Sequence, residues 1–243
     1  MESDHPFLPA ESPSQSRSPC PALNALANHG YLPRSGKGID MMTLLTALTS
    51  VYNVSYPLAL LLAVPAFLIY GKLDTSSSAL PWKWGVTLEL ASLSQFGMLR
   101  IAHTASLAHP NVPSHTPDPQ LVRDVVSRAH KDIGGSEPGL NLHDLANIRV
   151  EREAGAGEPL DSLHGQIAQG ESALVYLVLR NHYGAGDMVP ISRIAQWFGE
   201  ERLPDNWWQE VRPPQTVGLA ETRRTADEVK EIMSAVRATR PRA

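Results

Sequence analysis

Hydrophobic positions along the chain recur mostly at helical spacing. Ala and Leu follow a proline from Pro21 to Asn28, and His29-Gly30 supplies a stop, which predicts a first helix there. A second helix is predicted over Asp40–Val51 and a third over the almost wholly apolar Tyr56–Tyr70. Helical spacing resumes over Val86–Leu107, then over Pro119–Lys131, Leu142–Ala154, Leu160–Arg180 and Val189–Glu201. In the last of these Ile191, Ile194, Ala195 and Phe198 share a face. Ala220–Ala238 is charged on most faces and reads as a surface helix. Thr75–Leu80 and His109–Pro119 read as loops. Few runs alternate with the period of a strand, so the expected architecture is mostly α in a single domain.

No charge occurs between Asp40 and Lys72. An uncharged run of about 20 residues can span a bilayer. Pro57 and Pro65 interrupt this one, and Asn53, Ser55 and Tyr56 are polar at its start. Residues 56–70 therefore read first as a buried or cofactor-facing helix, with a membrane anchor as the alternative. Residues 1–17 are rich in Ser and Pro and read as a disordered lead. They show no cationic start followed by an apolar run, which predicts an intracellular, cytoplasmic setting. Asn53-Val54-Ser55 matches a glycosylation sequon by chance in that setting.

Composition narrows the chemistry. A hydrophobic share of 42% is enough for one sizeable core. A net charge of −4 leaves no broad basic surface, and nucleic acid is not an expected partner. The single cysteine excludes an intrachain disulfide and any zinc site built on several thiolates.

That cysteine is Cys20, between Pro19 and Pro21. A residue before proline is pushed out of the α region, so Cys20 belongs at the N-cap of the first helix. The free N–H groups of Ala22 and Leu23 then point towards its sulfur, and the helix dipole favours an anion there. Both effects lower a thiol pKa. By chemistry alone the motif remains open between a metal ligand, a reactive thiol and a small buried hydrophobe.

The wider string is more specific. Pro19-Cys20-Pro21, with Leu23-Asn24-Ala25-Leu26-Ala27-Asn28-His29-Gly30-Tyr31-Leu32-Pro33-Arg34, closely resembles the signature of fungal haem-thiolate peroxidases, the family of chloroperoxidase and the unspecific peroxygenases. Further segments resemble that family in the same order: His103–Ser106, Leu142-His143-Asp144-Leu145-Ala146 with Arg149, Gly170-Glu171-Ser172-Ala173-Leu174, and Trp197–Pro204. The resemblance covers residues 18–214, leaving 1–17 as the lead and 215–243 as a C-terminal helix and tail. It implies the helical haem-thiolate peroxidase fold, with haem b (iron protoporphyrin IX) held by the Cys20 thiolate. Axial thiolate donation favours O–O cleavage of a peroxide. An acid–base group on the opposite face must then move a proton between the two peroxide oxygens. Glu171 matches the family's glutamate for this, and its apolar neighbours suggest a raised pKa.

In the chloroperoxidase-like branch a histidine from a Glu-His-Asp motif steadies that glutamate. Here the stretch is Ala102-His103-Thr104-Ala105-Ser106, so His103 is retained and both acids are gone. The family binds Mg²⁺ or Mn²⁺ near a haem propionate through the motif's glutamate, a backbone carbonyl and the serine. Ser106 alone remains among those side chains, too few oxygens for a hard dication, so that cation is expected to be lost. Replacing the aspartate by Thr104 also removes the histidine's usual orienting partner. The longer peroxygenases carry an arginine seven positions before the glutamate, where this chain has His164.

The resemblance implies an enzyme that uses H₂O₂ to hydroxylate, couple or halogenate a small hydrophobic molecule, in a tailoring step of fungal secondary metabolism. Two alternatives stay open. One is a haem enzyme that rearranges, dehydrates or cyclises its substrate; the other is a non-catalytic haem-binding or membrane-associated protein.

Overall fold

The computed structural model describes residues 5–11, 14–74, 85–131, 137–182 and 187–239. The Ser-rich stretch 75–80 and the Pro81–Trp84 segment after it lie outside the described residues. Eight α-helices and five strands of two to four residues are present among those described.

Helix α1 (Pro21–Asn28) starts at the proline, with Cys20 at the N-cap in an extended conformation (φ −98°, ψ 108°). Gly30 (φ 76°) follows its end, a left-handed position that glycine fills without a Cβ penalty. Helix α2 (Met41–Tyr52) is capped by Asp40, whose side chain accepts from the Thr43 amide at 2.8 Å. It ends at Asn53 in the left-handed region. The Asn53 side chain donates to the Pro213 carbonyl at 2.9 Å and accepts from Thr216, so the sequon asparagine is tied into the fold. Helix α3 (Tyr56–Tyr70) has Pro57 in its first turn and tolerates Pro65 inside. Its buried positions, including Leu58, Ala59, Ala63, Ala66 and Phe67, pack on α2. No helix among the described residues is long and apolar enough to cross a membrane.

The second half is built on α5 (Leu142–Ala154) and α6 (Ser162–Leu179). Asn141 and Asp144 form a reciprocal capping box on α5, and Asp161 caps α6 through the Leu163 and His164 amides. Helix α8 (Leu219–Thr239) buries Thr222, Thr225, Val229 and Met233 against both. That is one stripe of an otherwise charged helix. The two halves meet around aromatic side chains. Trp207 is buried, stacks on Trp197 (centroids 6.3 Å apart) and meets Tyr52 edge-on. The Tyr52 hydroxyl donates to the Ala22 carbonyl at 2.6 Å, which anchors the start of α1.

The structure departs from the sequence reading in several places. The expected helix over Val86–Leu107 does not form. The segment begins as β3 (Gly85–Leu88), which lies between β1 (Ile39–Asp40) and β2 (Lys72–Asp74) in an antiparallel sheet. A 3₁₀ turn follows at Leu90–Ser94, then irregular chain to Asp118. Strand pairing and the burial of Leu88, Leu90 and Leu93 produce the apolar spacing that mimics a helix. Helix α4 (Pro119–Val126) stops short of Lys131, because His130 pairs with Gly139 through two backbone hydrogen bonds. The stretch from Val189 starts as β5 (Val189–Pro190), paired with β4 (Gly139–Leu140). It continues as a single α turn, α7 (Ile191–Ile194), and widens into a π turn over Ala195–Gly199. In the lead, where disorder is expected from composition, the described residues run along α1. Leu8 donates to the Asn28 carbonyl, and the buried Arg17 guanidinium grips Asn28 Oδ1 at 2.6 and 3.0 Å.

Candidate active site

Cys20 is fixed by its neighbours more than by its own side chain. The Ser18 amide donates to Asn24 Oδ1 at 2.9 Å, and Asn24 Nδ2 donates back to the Ser18 carbonyl at 2.7 Å. This clamp closes residues 18–24 around the cysteine. The sulfur faces the Leu23 and Ala22 amides at the helix start. Burial pushes the Cys20 thiol up to about 11, although the amides of Leu23 and Ala22 pull the other way. The sequence reading expects a lowered value. The amides are where it places them, but desolvation outweighs them, so the thiolate needs a bound cation to persist.

Glu171 sits in the middle of α6 rather than at a helix start. His103 Nε2 lies 3.2 Å from its Oε2, and Arg149 Nη2 lies 3.4 Å from the same oxygen. His103 Nδ1 is 2.6 Å from the Thr104 carbonyl. Both ring nitrogens therefore face oxygen acceptors when Glu171 is ionised, an arrangement that suits the imidazolium with a proton on each. Burial lowers the affinity of His103 for a proton, but the Glu171 carboxylate more than restores it, and the net shift is upward. Burial would likewise raise the Glu171 carboxyl; His103 and Arg149 overcome this and hold it at about 2. The raised value expected from its apolar neighbours is thus reversed by two cations invisible in the local sequence. The backbone carbonyl of Thr104 takes over the orienting role expected to vanish with the aspartate.

His164 does not touch Glu171. Its ring is held between Asp161 (2.6 Å) and the Arg100 carbonyl (3.1 Å), and it meets the His103 ring edge-on at 6.3 Å. Two groups outside the sequence-based candidates complete the surroundings. His109 is buried at the start of a loop expected on the surface, and neither ring nitrogen has a hydrogen-bond partner among the described residues. Burial pulls His109 down to about 4, which leaves it neutral near pH 7. Its Nε2 is 3.9 Å from Glu201 Oε1, and Asn24 Nδ2 donates to that same oxygen at 2.5 Å. Burial raises Glu201 to about 7. The only hint in the sequence is that Glu201 falls in a string resembling the family.

These groups are near one another. The Glu171 charge is felt at both Cys20 and His109, and the Glu201 charge at Cys20. Cys20 and Glu171 are both desolvated by surrounding protein and still open to solvent, the Glu171 side chain at 52%. A soft sulfur ligand, a carboxylate–imidazolium pair and an unpartnered buried imidazole fit an iron porphyrin with acidic propionates.

The comparisons with known proteins decide the family. The family model described as "Peroxidase, family 2" matches residues 5–212. The chain belongs to this family. Membership implies a haem cofactor and the helical haem-thiolate fold, in agreement with the largely helical structure. Among curated relatives, chloroperoxidase from Leptoxyphium fumago is 43% identical over 68 residues, covering 27% of this chain and 18% of that protein. An aromatic peroxygenase from Coprinellus radians is 35% identical over 88 residues, covering 36% and 33%. The dothistromin biosynthesis peroxidase dotB from Dothistroma septosporum is 25% identical over 226 residues, covering 79% of this chain and 52% of that protein. The chain thus spans about half the length of dotB and a third or less of the other two.

Proposed function

We propose that this family 2 chain is a haem-thiolate peroxidase or peroxygenase, with haem b held by Cys20 and Glu171–His103 as its acid–base pair. The observation that carries this reading is the 3.2 Å contact between a carboxylate and an imidazolium within electrostatic reach of the only cysteine. When bound, the haem supplies the redox chemistry that takes oxidising equivalents from H₂O₂. The chain's own residues do the rest. The α1 amides and the Ser18–Asn24 clamp hold the sulfur still. Glu171 accepts a proton from the incoming peroxide and returns it to the leaving oxygen, while His103 keeps the carboxylate aimed and holds a second proton beside it. The substrate is a small hydrophobic organic molecule that is hydroxylated, coupled or halogenated. The names of dotB and the aromatic peroxygenases support an aromatic compound in a fungal secondary-metabolite pathway.

Production of the full chain with haem supplied, followed by mixing with H₂O₂ and an aromatic donor, tests this directly. Peroxide consumption and product formation well above free haem are expected. Consumption no faster than free haem would remove the peroxidase reading. The Mg²⁺ or Mn²⁺ of the family plays no part in it. The Ala102 side chain offers no ligand where the family's motif has a glutamate, which supports a reaction that runs without that cation. Dialysis against EDTA should leave turnover unchanged; loss on chelation and recovery with Mn²⁺ would show that a cation is needed.

A further inference from the structure

Helix α5 turns a cation inward. Leu142, Leu145, Ala146 and Arg149 fall on one helical stripe, and Arg149 is fully buried. Its guanidinium reaches two segments that do not otherwise share a covalent or helical frame. Nη1 donates to the Ala105 carbonyl at 2.7 Å, and Nη2 faces Glu171 Oε2 at 3.4 Å. Ala105 is in the left-handed region (φ 64°), a conformation that L residues seldom adopt, and its amide donates to Asn111 Oδ1 at 2.7 Å. One turn along α5, Arg152 Nε donates to the Ser106 carbonyl at 2.8 Å.

Four oxygens of this loop are already engaged. The Thr104 carbonyl faces His103 Nδ1, the Ala105 carbonyl takes Arg149, and the Ser106 carbonyl takes Arg152. Ser106 Oγ accepts from the amides of His109 and Ala108 at 3.2 and 3.4 Å. A hard dication needs several oxygen ligands, and each of these oxygens already faces a donor from the chain that competes for its lone pairs.

We propose that Arg149 is a positioning residue that supplies, from within the chain, the positive charge around which residues 103–106 and Glu171 assemble, so that no divalent cation is needed there. This rests on the reading of Glu171 and His103 as the acid–base pair. The planar guanidinium suits the task because its fork can bind a carbonyl and a carboxylate at once, which a lysine ammonium cannot do with the same geometry. The charged and titratable groups facing Glu171 are His103 from the loop and Arg149 from α5, with Cys20 and His109 at longer range. Removing the guanidinium leaves the imidazolium as the main cation against the carboxylate.

The test uses the full chain without haem, labelled with [¹³C]glutamate, with the Glu171 carboxyl resonance assigned by its loss in Glu171→Gln. In the wild type this carboxyl is expected to titrate well below the ordinary value of about 4.3. Arg149→Met is expected to move the midpoint up by about one pH unit or more, and Arg149→Lys by less. An unchanged midpoint in a folded Arg149→Met protein would overturn the proposal. Should that variant not fold, two wild-type measurements still decide. A wild-type midpoint near the ordinary value overturns it, as does stoichiometric Mn²⁺ binding by electron paramagnetic resonance that shifts the Glu171 resonance. Lack of peroxide turnover would defeat the proposed function and leave these midpoints where they are.

Discussion

Replacement of Cys20 by alanine is expected to abolish the red-shifted Soret band that an axial thiolate gives ferrous–CO haem, and with it nearly all peroxide turnover. No other cysteine exists to take the place of Cys20. The helix it heads should survive. Pro21 remains at the first helical position, the Ser18–Asn24 clamp uses no cysteine atom, and Tyr52 still holds the Ala22 carbonyl. Only the weak contact of the sulfur with the Ala22 and Leu23 amides is lost, so stability should change by about 1 kcal/mol or less. Cys20→Ser sharpens the result. A hydroxyl is a better partner than sulfur for the Ala22 and Leu23 amides, so this variant should be at least as stable and equally devoid of the band. A band unchanged in either protein would mean that another residue ligates the iron.

The parts of the fold legible in the sequence are those set by local rules. Proline at the first turn and glycine after the last place α1 to the residue, and the caps Asp40, Asn141 and Asp161 begin three further helices within two residues of where apolar spacing puts them. The cysteine's place at an N-cap follows from the same rules. Its ionisation does not, because desolvation depends on everything packed around the sulfur. Residues 86–107 mislead for a related reason. Gly85–Leu88 lies between β2, just before it in the chain, and the distant β1, and no local pattern announces the pairing with β1. Arg149 did leave a signal, an arginine on the apolar stripe of Leu142, Leu145 and Ala146, where a buried cation must find a partner. Which anion it meets depends on how α5 and α6 pack. His109 left none, since proline-rich sequence around it gives no sign that its ring is enclosed.

Glu171→Gln should retain haem and lower peroxide turnover by about 10²-fold or more, the usual scale for an acid–base group. Glutamine is nearly the same size, and its amide oxygen can still accept from Arg149 and His103, so the arrangement around residue 171 should persist. What disappears is the ability to take up and release a proton. The variant also removes the partner that stabilises the His103 imidazolium, so the histidine's upward shift should largely vanish. This has a consequence for stability. A carboxyl held at about 2 contributes stability that is full above its unfolded value of about 4.3 and is lost as pH falls towards 2. The raised His103 contributes stability that is full below about 6.5 and is lost as pH rises through its folded value. The wild-type pair is therefore complete between roughly pH 4.3 and 6.5. In Glu171→Gln both limbs should flatten in thermal melts recorded across pH on the haem-free chain. Turnover within a few-fold of wild type would take Glu171 out of the chemistry, and melts that keep both limbs would place the titrating pair elsewhere.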